Sequence, residues 1–194
     1  MVLKVGENKT SIFNLISESV SAKETDALLV STKESGVVSN QIQDETNLAP
    51  CNQEEADTRI FLHVLDASKK GYKKISVVAN DTNVVVIAIC MFPHLELEEL
   101  WVEYGTGTNK KWLPIHTYVS LLGSERCRAI AFWYAFTGCD TVSQFNGIGK
   151  KTSWKAWSAY PEVTETFIKL SGLSEITESD FDMIQRFVIL MYER

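Results

Sequence analysis

Apolar residues recur along this chain at two different spacings, one typical of helices and one typical of strands. Helical spacing is clearest over residues 60–65, in a helix that Asn52 caps and that ends before Gly71. In this interpretation Glu55, three residues after Asn52, completes a capping box. The same spacing predicts further helices over residues 1–22, 116–122, 126–136, 151–159, 167–170 and 181–191, with a break at Gly123.

Runs of apolar and alternating residues predict strands over residues 27–31, 75–79, 100–104 and 111–113. A turn at residues 34–36 lets residues 37–39 pair with the first strand, and a glycine-rich turn at residues 105–109 joins the last two as a hairpin. Residues 84–90 fit either a strand or a buried helix. Because strands alternate with helices, we expect a single α/β domain with a largely parallel sheet, in which residues 75–79 are a buried strand.

An acidic residue and a glycine turn lie close together in residues 137–152. Asp140 is on a turn, and Gly147-Ile148-Gly149 follows it, with Lys150 and Lys151 directly afterwards. A carboxylate can hold a divalent metal ion. A glycine turn that opens a helix offers main-chain N–H groups to a phosphate. The segment therefore predicts a site that handles phosphodiesters.

This segment resembles the G-C-D-x-x-x-x-I-x-G-I-G-x-K pattern of flap endonucleases, through Gly138-Cys139-Asp140, the apolar Phe145, the glycine turn and Lys151. In that family the aspartate is a metal ligand, and the glycine turn belongs to a helix–two-turn–helix element that grips the duplex backbone. The resemblance implies that Asp140 is catalytic. It also implies that the nucleic-acid backbone is bound by Gly147, Gly149, Lys150 and Lys151.

Two acidic clusters upstream follow the order of the same family, which carries E-A-E at a helix start and D-x-D after a strand. Glu55-Ala56-Asp57 is similar to the first cluster, and Asp81-Thr82-Asn83 to the second. Asp81 follows the strand at residues 75–79, and sites in open α/β sheets form at the carboxyl ends of strands. The resemblance covers residues 50–157, favours a helix at residues 84–90 and makes Asp81 a second catalytic residue. The metal ligands that it implies are Glu55, Asp57, Asp81, Asn83 and Asp140.

The activity implied is a metal-dependent nuclease that hydrolyses phosphodiester bonds with one or two Mg²⁺ or Mn²⁺ ions. The partner would be DNA or RNA, held through the phosphate backbone without reading of its sequence. The implied architecture is a three-layer PIN-like (Rossmann-like) domain. Residues 1–49 resemble it weakly, residues 50–157 form the flap-endonuclease-like core, and residues 158–194 add C-terminal helices. The helix–two-turn–helix-like element that contains the glycine turn is counted among the helices towards the C-terminus.

Two departures from the family pattern leave other functions open. Asn83 stands where the family has an aspartate, and metal affinity falls with the charge of the ligands. Residues 1–49 contain no apolar strand that ends in an aspartate, the feature with which PIN-like nucleases begin. We therefore expect the C-terminal part of a PIN-like domain, as a fragment, a truncated gene model or a degenerate copy, which an N-terminal segment or a partner would complete. The main alternative is a catalytically inactive scaffold that binds nucleic acid or protein; another is an unrelated α/β domain with incidental acidic residues.

The acidic residues also have purely structural interpretations. Asp140 can cap a helix, Asp81 can be a turn residue at a strand end, and Glu55 fits a capping box. Glu55 and Asp57 lie about 200° apart around an ideal helix. Glu54, which shares a helix face with Asp57, is therefore an alternative ligand.

Composition limits the partners and the cellular location that the protein can have. A net charge of −6 over 194 residues argues against a generic nucleic-acid coat protein, but not against a nuclease, because bound cations reverse the local charge. The four cysteines lack C-x-x-C spacing, which indicates reduced intracellular thiols. Within the cell we expect a nuclear location. No apolar run reaches transmembrane length, so we expect no membrane contact. The tryptophans near the glycine turn are interpreted as core residues: Trp133, Trp154 and Trp157.

Overall fold

Helices account for 55% of the chain, and the strands lie in two small sheets, so the fold is mixed α/β. The computed structural model describes residues 6–51, 55–140, 142–172 and 175–193. The chain divides into two compact units, Met1–Lys70 and Gly71–Arg194. Among the described residues, no helix combines the length and the apolar character that a bilayer-crossing segment needs.

The described residues of the first unit form two helices and a hairpin: α1 (Gly6–Ser21), β1 (Val30–Lys33), β2 (Gly36–Ser39) and α2 (Ala56–Lys69). The strands pair antiparallel, from Val30 opposite Ser39 to Lys33 opposite Gly36, which confirms the predicted hairpin, although β1 begins later than expected. Arg59 on α2 holds the hairpin turn, since its guanidinium donates to the main-chain carbonyls of Glu34 at 2.7 Å and Gly36 at 3.0 Å.

The start of α2 differs from the prediction. Glu55 has extended backbone angles, with φ −79° and ψ 124°, and is itself the N-cap residue, without a side-chain capping bond. A capping box with Glu55 in its third helical position is therefore wrong, because the helix begins only after this residue. Asn52, the expected cap, lies outside the described residues.

The second unit is built around a sheet of three strands in the order β3 (Lys74–Ala79), β4 (Glu99–Tyr104) and β5 (Lys111–Pro114). β3 and β4 are parallel, whereas β4 and β5 are antiparallel. The described strands thus form a mixed sheet rather than the expected largely parallel one. The physical reason is the short turn after β4, which reverses the chain into a hairpin, whereas a parallel neighbour would need a long crossover.

β3 lies at the edge of this sheet and is only partly buried. Val77 is 6% exposed, but the next residue, Val78, is 68% exposed. The prediction of a buried strand is therefore wrong for one of its two faces. Packing is provided by α3 (Thr82–Met91) and α4 (Ile115–Phe136), which contact each other, and α4 also contacts β4. The predicted break in α4 is confirmed at Gly123, whose φ is 76° and ψ is 164°.

Three helices complete the second unit: α5 (Lys150–Ala159), α6 (Val163–Leu170) and α7 (Glu178–Tyr192). Their core is aromatic, with the Trp157 and Phe167 ring centroids 5.5 Å apart and both side chains fully buried. Trp133 is 6% exposed and stacks on Trp157, and Trp154 meets both rings edge-on. Trp133 and Trp157 are thus core residues, as predicted, whereas Trp154 is half-buried at the edge of this cluster. None of the four cysteines forms a disulfide.

Candidate metal and phosphate site

Asp81 lies between the carboxyl end of β3 and the first turn of α3. It is the N-cap residue of α3, and its carboxylate Oδ1 accepts a hydrogen bond from the main-chain N–H of Asn83 at 2.8 Å. The same contact orients the carboxylate, because the strand end and the helix start fix both partners. Asp81 therefore combines the structural role of a cap with the strand-end position that the resemblance gave it.

The neighbouring strand ends beside it. In the parallel pairing of β3 and β4, Tyr104 lies opposite Ala79, so both strands end at the same edge of the sheet. The Tyr104 hydroxyl is 3.2 Å from Oγ1 of Thr82. This bond joins the end of β4 to the start of α3, next to Asp81.

Asp140 is carried by a tight turn after α4. Gly138 has φ +100°, and a Cβ added to it would approach Cα of Gln144 to 2.7 Å, so a side chain at this position would collide with main chain. Cys139 and Val142 form an isolated antiparallel bridge, and Asp140, which lies between them in the chain, is exposed. Thr141 does not belong to the described residues. The turn thus presents the Asp140 carboxylate to solvent.

Tyr134 on α4 links the two aspartates. Burial raises the pKa of its phenol, and the negative charges of Asp81 and Asp140 raise that pKa further. Both carboxylates therefore lie within electrostatic reach of one hydroxyl, although they are far apart in the chain. Sequence reasoning missed Tyr134, because it stands among the aromatic core residues of α4 and no motif spacing distinguishes it from them.

The donor set for a metal ion is small. Among the described residues, no group of three or more His, Cys, Asp or Glu side chains is arranged to hold a metal ion. Proteins usually bind Mg²⁺ through one or two carboxylates together with substrate phosphates and water, so a smaller donor set such as Asp81 and Asp140 is the one to consider. Asn83 is half-buried beside Asp81. A site formed by these residues would depend on substrate oxygens to complete the ion's ligands.

The other predicted ligands belong to the first unit. Glu55 is exposed at the N-cap of α2, and Asp57 is half-buried in the first turn of the same helix. Glu54, the alternative ligand, lies outside the described residues.

The glycine turn leads directly into α5. Gly147 has φ +74°, the left-handed region that favours glycine, whereas Gly149 has φ −94° and is the N-cap residue of α5 without a side-chain capping bond. The turn is held from two sides: the Phe145 ring packs on Phe136 at 5.3 Å, and the Tyr192 hydroxyl donates to the Asn146 carbonyl at 3.2 Å. Both glycines are exposed, so an anion can reach the start of the helix.

The two lysines after this turn lie in different environments. The Lys150 ammonium donates to the main-chain carbonyl of Tyr134 and, at 2.8 Å, to Oγ1 of Thr137. It also lies 4.1 Å from the centroid of the Tyr134 ring, and burial lowers its pKa. Lys151 is exposed.

Comparisons of the chain with protein-family models, with curated proteins and with solved structures find no match. The likeness to flap endonucleases therefore rests on the motif residues, and any function must be argued from the geometry around Asp81 and Asp140.

Proposed function

We propose that this chain is a metal-dependent nuclease domain of the PIN-like, flap-endonuclease-like type, which hydrolyses the phosphodiester bonds of DNA or RNA at a reduced rate. The observation that supports this most is the common action of Asp81 and Asp140 on Tyr134. The charges of both carboxylates thus act on one phenol, although they come from distant parts of the chain, and Asp81 follows the carboxyl end of β3, where α/β folds place their sites.

In this proposal Asp81 and Asp140 would hold one Mg²⁺ or Mn²⁺ ion, whose other ligands would come from the substrate and water. When bound, the ion supplies an activated water and stabilises the charge on the leaving oxygen. Asp81 arrives preoriented, because the main-chain N–H of Asn83 fixes its carboxylate. Asn83 itself adds an amide group but no charge, which is why the proposed activity is reduced. Glu55 and Asp57 stay predicted ligands.

The substrate backbone would be held by the start of α5. The exposed turn at Gly147 and Gly149 offers main-chain N–H groups at the positive end of the helix dipole. We propose that α4, this turn and α5 correspond to the helix–two-turn–helix-like element of a three-layer PIN-like domain. Such contacts recognise phosphates and therefore position a duplex without reading its sequence.

A cleavage assay tests this function. Labelled flap, duplex and single-stranded substrates, each as DNA and as RNA, are incubated with the full chain and Mn²⁺. We expect slow cleavage of at least one substrate, and a loss of at least tenfold in Asp81→Asn and in Asp140→Asn. Asp182→Asn is the matched control, because Asp182 is an exposed aspartate on α7. Equal rates in the parent and in both site variants would refute the proposal.

A second candidate is a catalytically inactive PIN-like scaffold that binds nucleic acid or protein. It is favoured by Asn83 in place of an aspartate and by the small donor set around Asp81. The two candidates differ in one result: the scaffold leaves every labelled substrate intact at every Mn²⁺ concentration.

A further inference from the structure

Two adjacent lysines at the start of α5 carry the same charge but have different surroundings. Successive residues of a helix point about 100° apart, so one side chain can face the protein while the next faces solvent. Lys150 is half-buried and bonded to α4, and Lys151 is exposed. A division of function between the two residues follows from this difference.

The contacts of Lys150 join the end of one helix to the start of another. Its ammonium donates to the Tyr134 carbonyl, one of the last carbonyls of α4, and to Thr137, the C-cap residue of that helix. A cation at this place complements the negative end of the helix dipole. The ring of Tyr134 at 4.1 Å and the ring of Trp133 at 5.5 Å provide cation–π contacts.

Residues 137–149, between these two helix ends, carry both Asp140 and the glycine turn. Lys150 joins the two ends of this segment, because its ammonium on α5 donates hydrogen bonds to Tyr134 and Thr137 at the end of α4. Two further contacts, Phe145 on Phe136 and Tyr192 on Asn146, hold its far part. Loss of the Lys150 ammonium therefore loosens the segment at the point nearest to Asp140.

We propose that Lys150 is a positioning residue, whose ammonium clamps the ends of α4 and α5 and so fixes the Asp140 turn, and that Lys151 is the residue that contacts the nucleic-acid phosphate. The assignment rests on the proposed function for its phosphate contact. The clamp itself rests only on the contacts of Lys150, and it can therefore be tested without any ligand.

Amine acylation tests the clamp directly. The folded parent is treated with a trace of an acylating reagent, and the modification of each lysine is followed by mass spectrometry. We expect Lys151 to react at least tenfold faster than Lys150, because the Lys150 nitrogen is half-buried and held by two hydrogen bonds, a protection that outweighs its lowered pKa. Thr137→Val, which removes one partner, should speed the reaction of Lys150 and leave that of Lys151 unchanged. Equal rates at the two lysines of the parent would overturn the clamp.

Salt dependence of duplex binding then separates the two roles. Each phosphate contact contributes about 0.9 to the slope of log K against log salt concentration. In Lys151→Met the slope for labelled duplex should become less steep by about that amount. In Lys150→Met the slope should equal that of the parent. For Mn²⁺ the order is reversed: Lys150→Met weakens the affinity at least threefold through the Asp140 turn, Lys150→Arg restores it in part, and Lys151→Met has no effect.

The outcomes distinguish this inference from the function on which it rests. A lower slope in Lys150→Met with an unchanged slope in Lys151→Met would overturn the assignment of the two roles. A parent that binds neither duplex nor Mn²⁺ refutes the proposed function and the phosphate contact, while the acylation rates still decide the clamp. If Lys150→Met does not fold, the rates of the parent and of Thr137→Val suffice.

Discussion

Asp81 Oδ1 accepts a hydrogen bond from the main-chain N–H of Asn83 at 2.8 Å, so the residue that ends β3 also caps α3. The contact needs an oxygen acceptor but not a negative charge, since asparagine caps helices about as well as aspartate. Metal binding needs the charge. Substitutions at this one position can therefore separate the stability of the fold from the function of the site.

We predict that Asp81→Asn keeps the stability of the parent, whereas Asp81→Ala loses about 1 kcal/mol of the free energy of unfolding, the usual contribution of a cap. Both variants should lose Mn²⁺ binding. Urea denaturation gives the stability, and titration calorimetry gives the affinity. An Asp81→Asn variant that binds Mn²⁺ as tightly as the parent would show that Asp81 acts only as a cap.

Asn83→Asp should strengthen the same site. The change places a second carboxylate next to Asp81 and adds one negative ligand for the ion. Without metal the repulsion between the two carboxylates should lower the free energy of unfolding slightly, because the start of α3 offsets part of it by its dipole. With Mn²⁺ the affinity should rise. Calorimetry that gives one dissociation constant for both forms would contradict a metal-facing position 83.

The pKa of Tyr134 responds to the charges of Asp81 and Asp140, so it can be used to detect them without any metal. A phenol loses its proton to become negative, so nearby negative charges raise its pKa, and their removal must lower it. We predict that the pKa of Tyr134 falls in Asp81→Asn and in Asp140→Asn and falls most in the double variant, although burial, the largest cause of the shift, stays. Tyrosinate absorbance followed against pH measures this, with Tyr134→Phe to identify the signal. An unchanged titration in the double variant would mean that the carboxylates do not meet at Tyr134.

The three glycines of residues 137–149 should differ in their tolerance of alanine. Gly147 has φ +74° with open space around it, so Gly147→Ala should cost about 1 kcal/mol of backbone strain. Gly149 has φ −94° and open space, so Gly149→Ala should be close to neutral in stability. Gly138→Ala should be the most damaging, because its Cβ would meet the main chain of Gln144. Thermal denaturation of the three variants checks this order, and a neutral Gly138→Ala would be the clearest exception.

The sequence predicted the elements of this protein better than their arrangement. Periodicity located α2 and β4, and glycine chemistry located the break at Gly123, because these features depend on neighbouring residues. Periodicity left residues 84–90 open between a strand and a helix, and only the resemblance favoured the helix that is α3. The order of the strands and the exposure of Val78 depend on which elements pack together. Local sequence patterns do not determine this packing.

The candidate site divides in the same way. Motif spacing identified Asp81 and Asp140, but it could not identify Tyr134, which has the same local pattern as the core aromatics of α4. Nor could it distinguish Lys150 from Lys151, since two adjacent lysines are equivalent until the helix that carries them is packed. Which way a side chain points and how deeply it is buried depend on the assembled fold. The position of Tyr134 and the difference between Lys150 and Lys151 were therefore found only in the structure.

The measurement that tests the central claim most directly is the melting temperature of the full chain across a Mn²⁺ titration. A ligand that binds only the folded state at ten times its Kd adds about 1.4 kcal/mol to the free energy of unfolding. We predict an upward shift in the parent and in the control Asp182→Asn, and no shift in the double variant Asp81→Asn with Asp140→Asn. A parent whose melting temperature is unchanged up to millimolar Mn²⁺, or a double variant that shifts as much as the parent, would contradict a metal site at these two aspartates.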